Sequence, residues 1–432
     1  MARSSTLWRS LAIGGSLALV LTACGGGDDD DTAAETPEAT ESATDDAGAA
    51  AEGDGTLTVG TLLPETGSLA FLGPPEFAGV RLAVQEINEA GGVLGNDVVQ
   101  IDSDSGDTSS NIAQQSVDTL LSQNVDAVIG AASSSVSLSV IDKITGAGAV
   151  QMSPANTSEA FTAPGTDDRN LYFRTAPSDK LQGRVLGDRI LADGQATLAI
   201  IALQDAYGED LTAQVTETFE GGGGTVVYSE FYDPKSTDFS AVLDAASSTN
   251  PDAVALIAFD ETKTIIPQAA SRNFGPQDVQ YYFVDGNLAD YSEDFEAGTL
   301  EGTFGTLPGQ ERPQEFLDAL DAVWDEPLTE FAYSGESYDA VNVIALAAVA
   351  AGSDAGEAIA SQLQAVANDG TECTTFAECS ELIEAGEDID YVGVSGPVEF
   401  DDNGDQSAAV IGIYEYDGDN RPNAIEFVEG TL

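Results

Sequence analysis

The sequence predicts an α/β protein made of two doubly wound lobes with parallel sheets. The first observation is an alternation of short apolar strands and amphipathic helices between Thr56 and Met152. The second is that the same alternation starts again after Arg174 and runs to Val284. The third is the length of the part from Thr56 to Leu432, which exceeds one ordinary domain and suits two.

The first lobe is predicted from four strands and the helices between them. These are strands at 56–63, 98–101, 124–129 and 149–152, with helices starting at Pro74 and covering 110–122 and 136–145. Ser133–Ser135 open the third helix, and Ser153–Thr157 follow the fourth strand. Ligands of open parallel sheets bind at the carboxyl ends of the strands, and a helix N-terminus favours a carboxylate. The alternative for Ser133–Ser135 is a simple helix cap, because Ser is a preferred N-cap residue.

The second lobe is predicted from the segment after Arg174, and the chain changes character beyond Thr303. Helices are predicted at 178–192, 206–219, 238–247 and 262–273, with strands at 197–203, 225–228, 253–259 and 280–284. Helices at 313–324 and 337–351 follow, and strands at 398–400 and 410–416 flank a turn at 402–405.

The N-terminus indicates export. Arg3 and Arg9 precede the apolar run 11–20, which is too short to span a membrane and is typical of a cleaved signal peptide. Leu21–Cys24 resembles the lipoprotein box, in which the cysteine is acylated and becomes the first mature residue. We therefore expect a signal peptide at 1–23, a lipid on Cys24 and an acidic, disordered tether at 24–55.

Charge and cysteine content limit the partners. The formal net charge is −61, from 14 basic and 75 acidic residues, which argues against nucleic acid because phosphate binding needs basic clusters. Such acidity is also compatible with a saline habitat. Cys373 and Cys379 read as a disulfide in an exported chain, with two free buried thiols as the alternative.

Several short motifs, in the same order along 56–416, resemble those of the branched-chain amino-acid (leucine-binding-protein-like) type of ABC-transporter substrate-binding protein, the periplasmic binding protein class I fold. They are Val59–Gly73, Glu86–Gly95, Ile129–Ser135, Ser153–Thr157, Phe173–Thr175, Ala206–Gly208, Thr237–Ser240 and Ser337–Ala340. The resemblance implies two lobes joined by three crossovers, near Ala176, Thr306 and Ala409, around a ligand cleft. Lobe 1 is then 56–176 with 307–409, and lobe 2 is 177–306 with 410–432.

The resemblance also implies the ligand-binding residues. Ser134, Ala155 and Thr157 occupy positions that bind an α-carboxylate, with Ala155 acting through its backbone. Asp285 falls where relatives hold the ammonium group, although an Asp-Gly turn explains it equally simply.

Three further residues are candidates for the walls of the cleft. Tyr207 and Phe259 are predicted to line it, with core packing as the alternative. Leu72 stands where the family has an aromatic residue, so the pocket for the ligand's side chain departs from the family pattern.

We therefore expect a lipid-anchored solute-binding protein on the extracytoplasmic face of the membrane. It would deliver a small amino-acid-like ligand to an ABC permease and its ATPase. The alternatives are a sensing domain of the same fold, or a binder of small amides or carboxylic acids. We expect no enzyme activity, because the chain has no histidine and shows no pairing of nucleophile and base. We expect no cofactor and no metal: Asp102–Asp107 starts like a calcium loop, but Ala113 stands where the bidentate glutamate is needed.

Overall fold

The computed structural model describes residues 53–431. The first strands along the chain are β1 Thr58–Leu62, β2 Val99–Ile101, β3 Ala127–Gly130, β4 Val150–Ser153 and β5 Tyr172–Arg174. They form a 5-stranded parallel sheet in the order β2-β1-β3-β4-β5. The strand order reverses between β1 and β3, and ligands bind outside the carboxyl ends of the strands at such a reversal.

Helices cover both faces of this first sheet. They are α1 Gly73–Glu89, α2 Ile112–Ser122 and α3 Ser134–Gly146. Val128 of β3 packs with α2 and α3, whereas its neighbour Ile129 packs with α1. Successive strand residues point to opposite faces of a sheet, so an apolar run such as this one serves two cores.

The second lobe repeats this design. Its elements are α4 Asp179–Ala192, β6 Thr197–Leu203, α5 Ala206–Gly221, β7 Thr225–Tyr232, α6 Ser240–Ser248, β8 Ala253–Ile257, α7 Thr262–Ala270, β9 Gln280–Phe283 and β10 Phe304–Pro308. Strand β8 is buried along its whole length, as expected for a central parallel strand between two helical layers.

The chain then returns to the first lobe. The next elements are α8 Gln314–Val323, α9 Ser334–Ala351, α10 Gly356–Ala360, α11 Leu363–Ala367, β11 Thr371–Cys373, α12 Phe376–Ala385 and β12 Ile389–Tyr391. The apolar helix α9 shares a hydrophobic core with α1, β1 and β3. A disulfide joins Cys373 of β11 to Cys379 of α12, with a sulfur–sulfur distance of 2.10 Å.

Two antiparallel strands complete the second sheet. They are β13 Ala408–Tyr416 and β14 Pro422–Thr431, and the 7-stranded sheet has the order β14-β13-β10-β9-β8-β6-β7. Strand β13 pairs antiparallel with both β10 and β14, whereas the other pairs of this sheet are parallel.

The first connection between the sheets is held by contacts to two later segments of the chain. Arg174 at the end of β5 forms a buried ion pair with Asp405, with 2.6 Å between Nε and Oδ1. The Thr175 hydroxyl donates to the carbonyl of Glu336 at 2.8 Å, which joins the first connection to α9. The predicted crossover residues Thr306 and Ala409 both lie within strands of the second sheet. The exact residues at which the chain crosses from one lobe to the other therefore remain predictions.

Most predicted elements are present with ends shifted by a few residues, but the predicted strand at 398–400 is wrong. Phe400 makes only an isolated bridge to Gln406, and its N–H donates to the side chain of Asn368 at 2.9 Å instead of to a strand. Its ring is buried against Phe173, so burial in a loop explains the apolar residues here. Strand β14 was not predicted, because its residues are mostly exposed at the sheet edge and lack regular alternation.

Candidate functional site

The loop after β3 forms the first wall of the cleft between the lobes. Gly130 has φ +124°, and a Cβ atom there would stand 2.1 Å from the carbonyl oxygen of Leu62, so only glycine fits. Helix α3 begins four residues later, and the Ser133 hydroxyl caps it by accepting from the N–H of Val136. The remaining first-turn N–H groups need partners outside the helix, which makes this end of α3 suitable for an anion.

The loop after β4 is tied to the loop after β3 by side-chain hydrogen bonds. The Ser153 hydroxyl donates to the carbonyl of Ala131 at 2.7 Å, and Asn156 Nδ2 donates to the carbonyls of Ala131 and Ala132 at 2.9 and 2.8 Å. The N–H of Ala155 donates to the Ser153 hydroxyl at 3.2 Å. These bonds hold the two hydroxyl-rich loops in one fixed arrangement.

Aromatic residues form the second wall. Asp205 caps α5 by accepting from the N–H of Gly208 at 2.8 Å, and this cap sets the position of Tyr207 in the first turn. The rings of Tyr207 and Phe259 stack with 5.6 Å between their centroids. Both side chains are buried, so they take part in the lobe's core as well as in the cleft.

Asp285 lies at the centre of a buried hydrogen-bond network. It follows β9, and its carboxylate accepts from the hydroxyl of Tyr207 at 2.7 Å, from Gln182 Nε2 at 2.8 Å and from the hydroxyl of Tyr333 at 2.7 Å. Burial raises the pKa of Asp285, and the bonds from Tyr207, Tyr333 and Gln182 oppose that rise. Three donors directed at one carboxylate stabilise its ionised form, which is the form that binds a cation.

Asp179 is a second buried acid beside this network, and no motif in the sequence indicates it. Neither of its carboxylate oxygens has a hydrogen-bond partner among residues 53–431. Burial, and then the charge of Asp285, raise its pKa well above the usual value. The Thr157 hydroxyl and Gln182 Oε1 are likewise buried without partners in that part of the chain. The Thr157 hydroxyl lies close enough to Asp179 to oppose the rise of its pKa. Buried acceptors without partners are costly, so the oxygens of Asp179 and Gln182 indicate a place for a further donor.

Most of the predicted site residues meet around one cavity. Its lining includes Leu72, Ser134, Ala155, Tyr207, Phe259 and Asp285. Thr157 does not line it, although its carbonyl accepts from the N–H of Asp179 at 2.7 Å.

Tyr333 lines the same cavity and is not among the residues that the sequence predicts. It has φ +58° at the start of α9, a backbone conformation that costs an L-residue about 1–2 kcal/mol. No local pattern identifies Tyr333, because only folding brings α9 to the cleft.

The cleft is closed in this structure. Its free volume is about 10 Å³, which is room for about one water molecule. Across its mouth, Asp210 of α5 accepts from the Ser158 hydroxyl and, at 2.9 Å, from the N–H of Glu159. Asp205 accepts from the hydroxyl of Ser135 at 3.3 Å. A ligand of several heavy atoms therefore requires the lobes to separate or the side chains to rearrange.

The described residues contain neither a metal-binding cluster nor a membrane-spanning helix. Within 53–431 no group of His, Cys, Asp and Glu side chains is arranged to hold a metal ion. No helix in that range is both long and apolar enough to cross a bilayer. The predicted signal peptide at 1–23, the lipidation site Cys24 and the tether up to residue 52 lie outside the described residues.

Comparison with known proteins gives the class. The family model described as "Periplasmic binding protein" matches residues 56–415. The chemotactic signal transduction system substrate-binding protein BasB of Halobacterium salinarum is 27% identical over 79% of this chain and 83% of its own length. The leucine-, isoleucine-, valine-, threonine- and alanine-binding protein of Pseudomonas aeruginosa is 28% identical over 72% of this chain and 82% of its own. A solute-binding protein of an ABC transporter from R. palustris, solved with 4-hydroxybenzoate, superposes with a TM-score of 0.71 at 17% identity, covering 87% of this chain and 98% of that one.

The chain belongs to the periplasmic binding protein family. It is of the leucine-binding type, with the two-lobed α/β fold of that type. It is a solute-binding protein rather than an enzyme, and its family is extracytoplasmic.

Proposed function

We propose that this protein is the lipid-anchored, solute-binding component of an ABC importer, and that it binds a small amino-acid-like ligand by closure of its cleft. The observation that carries the proposal is the opposition of two poles across one cavity. The N-terminus of α3 with its hydroxyl-rich loops lies on one wall, and Asp285 lies on the other. A zwitterion needs both poles, whereas a simple carboxylate needs only the first.

The anion pole comprises Ser134 and the loop after β4. The Ser134 hydroxyl accepts from the N–H of Ser158 at 3.4 Å and retains its own proton as a donor. Helix α3 adds the favourable end of its dipole. In this proposal Ala155 contributes backbone contacts, and Thr157 turns its unpartnered hydroxyl to the ligand as the cleft rearranges.

The cation pole comprises Asp285 with Asp179 behind it. An ammonium group has three donors, and Asp285 alone already accepts three hydrogen bonds. The unpartnered carboxylate of Asp179 supplies further acceptors. Burial and then repulsion from Asp285 raise the pKa of Asp179, and a cation between the two acids would oppose both effects.

The remaining lining supports an uncharged ligand side chain. Leu69, Leu72, Phe259 and the ring faces of Tyr207 and Tyr333 are apolar. Leu72 in place of an aromatic residue leaves more room on the first lobe, so the preferred side chain is expected to differ from that of relatives with a ring there.

The anchor and the partners are the further parts of this proposal. The sequence Leu21–Cys24 supports acylation of Cys24, and the acidic stretch after it supports a tether that holds the lobes clear of the membrane. The partners would be a permease and an ATPase encoded with this protein.

Two alternatives have specific support. The similarity to BasB supports a sensing role, in which the closed form is read by a chemotaxis partner rather than by a permease. The fold shared with a 4-hydroxybenzoate-binding protein supports a carboxylic acid as ligand. Deletion of the gene for this protein would abolish uptake of the ligand if the role is transport. If the role is sensing, it would abolish taxis toward the ligand and leave uptake intact.

Calorimetry of the mature protein with amino acids, amides and small carboxylic acids tests the ligand class. The expected result is tight binding of at least one amino acid and much weaker binding of its des-amino and des-carboxy analogues. Equal affinity for an amino acid and its des-amino analogue would refute the zwitterion and favour a carboxylic acid.

A further inference from the structure

A second cavity lies beside the cleft, and it is much larger. Its free volume is about 410 Å³, within the range of small-molecule sites, and it shares no lining residue with the cleft. Its walls come from the end of β10, the connection 309–313, the segment 329–332 and the strands β13 and β14. The function proposed above makes no use of it.

One part of this cavity is aromatic and aliphatic. Phe331, Tyr414 and Phe427 supply rings, and Leu288 and Leu307 supply aliphatic surface. Both leucines are buried, so the apolar part is the floor of the cavity and not its rim. A ligand with a ring or a branched aliphatic chain would bury that group here.

A donor pole lies at the connection between the lobes. The Arg312 side chain is only 8% exposed; its Nη2 donates to Glu336 at 3.2 Å, and its Nε is buried without a partner within residues 53–431. Tyr414 lies near enough that Arg312 lowers the pKa of its hydroxyl, against the rise caused by burial. A guanidinium and a phenol on one wall suit a carboxylate.

An acceptor pole is formed by Glu330 and Asp290. Glu330 accepts from the N–H of Asp290, and burial raises the pKa of Glu330 to about 7. Asp290 also pairs with Arg421 at 3.1 Å, but Arg421 is 56% exposed at the rim, so that pair is weak. A ligand ammonium beside Glu330 would favour its ionised form.

We propose that this cavity is a second binding site, which takes an apolar zwitterion such as an aromatic amino acid. The carboxylate would bind at Arg312 and Tyr414, the ammonium at Glu330 and Asp290, and the side chain among the rings. The walls carry both signs of charge, so a plain anion would meet the acids and a plain cation would meet the arginines. Only a ligand with both charges is complementary to both poles.

The test uses equilibrium dialysis of labelled L-phenylalanine against variants that separate the two sites. Ala424→Phe fills the second cavity, because Ala424 pairs with Tyr414 across β13 and β14 and lines the cavity. Ile425→Phe is the matched control, because Ile425 is exposed on the same strand and does not line the cavity. Asp285→Asn disables the cleft only. Melting temperatures of all variants verify folding.

The expected result is one phenylalanine site that persists in Asp285→Asn and in Ile425→Phe and is lost in Ala424→Phe. Tyr414→Phe should weaken that site about tenfold or more, because one hydrogen bond to a charged group is lost. In wild type, 3-phenylpropanoate and phenethylamine, which each lack one charge, should bind at least tenfold more weakly than phenylalanine.

Two results would overturn the second site. The first is binding that Ala424→Phe leaves unchanged and Asp285→Asn abolishes, in which case the cleft alone binds phenylalanine. The second is no phenylalanine binding by wild type or by Asp285→Asn at millimolar ligand. Equal affinity for 3-phenylpropanoate would overturn the zwitterion class. Failure of the cleft proposal gives a different result from failure of the second site. In that case Asp285→Asn would bind every amino acid with the affinity of the wild type.

Discussion

Replacing Asp285 by asparagine removes one charge from the cleft and keeps the size of the side chain. In the wild-type protein the carboxylate accepts bonds of 2.7, 2.8 and 2.7 Å from Tyr207, Gln182 and Tyr333. An ammonium about 4 Å away would gain about 4 kcal/mol at an effective dielectric constant of about 20. Part of this gain is cancelled by desolvation of the two charges, and Asp179 still attracts the ammonium in the variant. The expected net loss of binding free energy is therefore about 1.5–3 kcal/mol, or about ten- to a hundredfold in Kd.

The assay is calorimetry with the best-bound amino acid and with its des-amino analogue. Asp285→Asn should weaken the amino acid by that factor and change the analogue little, so the discrimination between the two ligands should disappear. Asp188→Asn is the matched control, because it removes an acid of the same lobe that is exposed on α4. If Asp285→Asn binds the amino acid within about threefold of wild type, Asp285 does not hold an ammonium group. If Asp188→Asn loses as much affinity, the effect belongs to net charge.

Four further outcomes are expected. Cys24→Ser should release the protein from membranes into the soluble fraction, and a variant that still sediments with membranes would contradict the anchor. Replacing Cys373 and Cys379 by serine should lower the free energy of unfolding by only about 2 kcal/mol, because the closed loop is short. Ligand affinity should stay unchanged. Thiol labelling of both cysteines in the unreduced protein would exclude the bridge. Melting temperature should rise from low salt to molar sodium chloride, as screening weakens the repulsion of a chain with net charge −61; a flat or falling curve would refute this. Burial raises the pKa of Asp205 to about 6 and of Glu330 to about 7, so the folded state binds their protons more tightly than the unfolded chain does. Their stabilising contribution is therefore complete below about pH 4 and is lost as pH rises through 6 to 7, and the melting temperature measured at pH 5.5 should exceed that at pH 8.

The sequence by itself determined the α/β class and predicted several residues of the candidate site. Alternating apolar strands and amphipathic helices are local patterns, and the cap at Ser133 is indicated by a serine directly before a helix. Ser134, Ala155 and Asp285 are predicted from the resemblance to the family, and each lies near the end of a strand or at the start of a helix, where ligands of such sheets bind. Such positions follow from topology once the order of strands and helices is known.

Only the tertiary structure showed which residues surround Asp285. Gln182 and Tyr333 reach Asp285 across sequence separations of 103 and 48 residues. Tyr333 precedes α9, and its position near Asp285 depends on the packing of α9 in the core of the first lobe. Asp179 reads as an ordinary residue of a helix start, yet it is fully buried between the lobes. The second cavity depends on β14, an edge strand whose exposed residues carry no strong strand pattern. Local patterns report how a segment buries its own apolar face, whereas contacts between distant segments depend on how whole lobes pack.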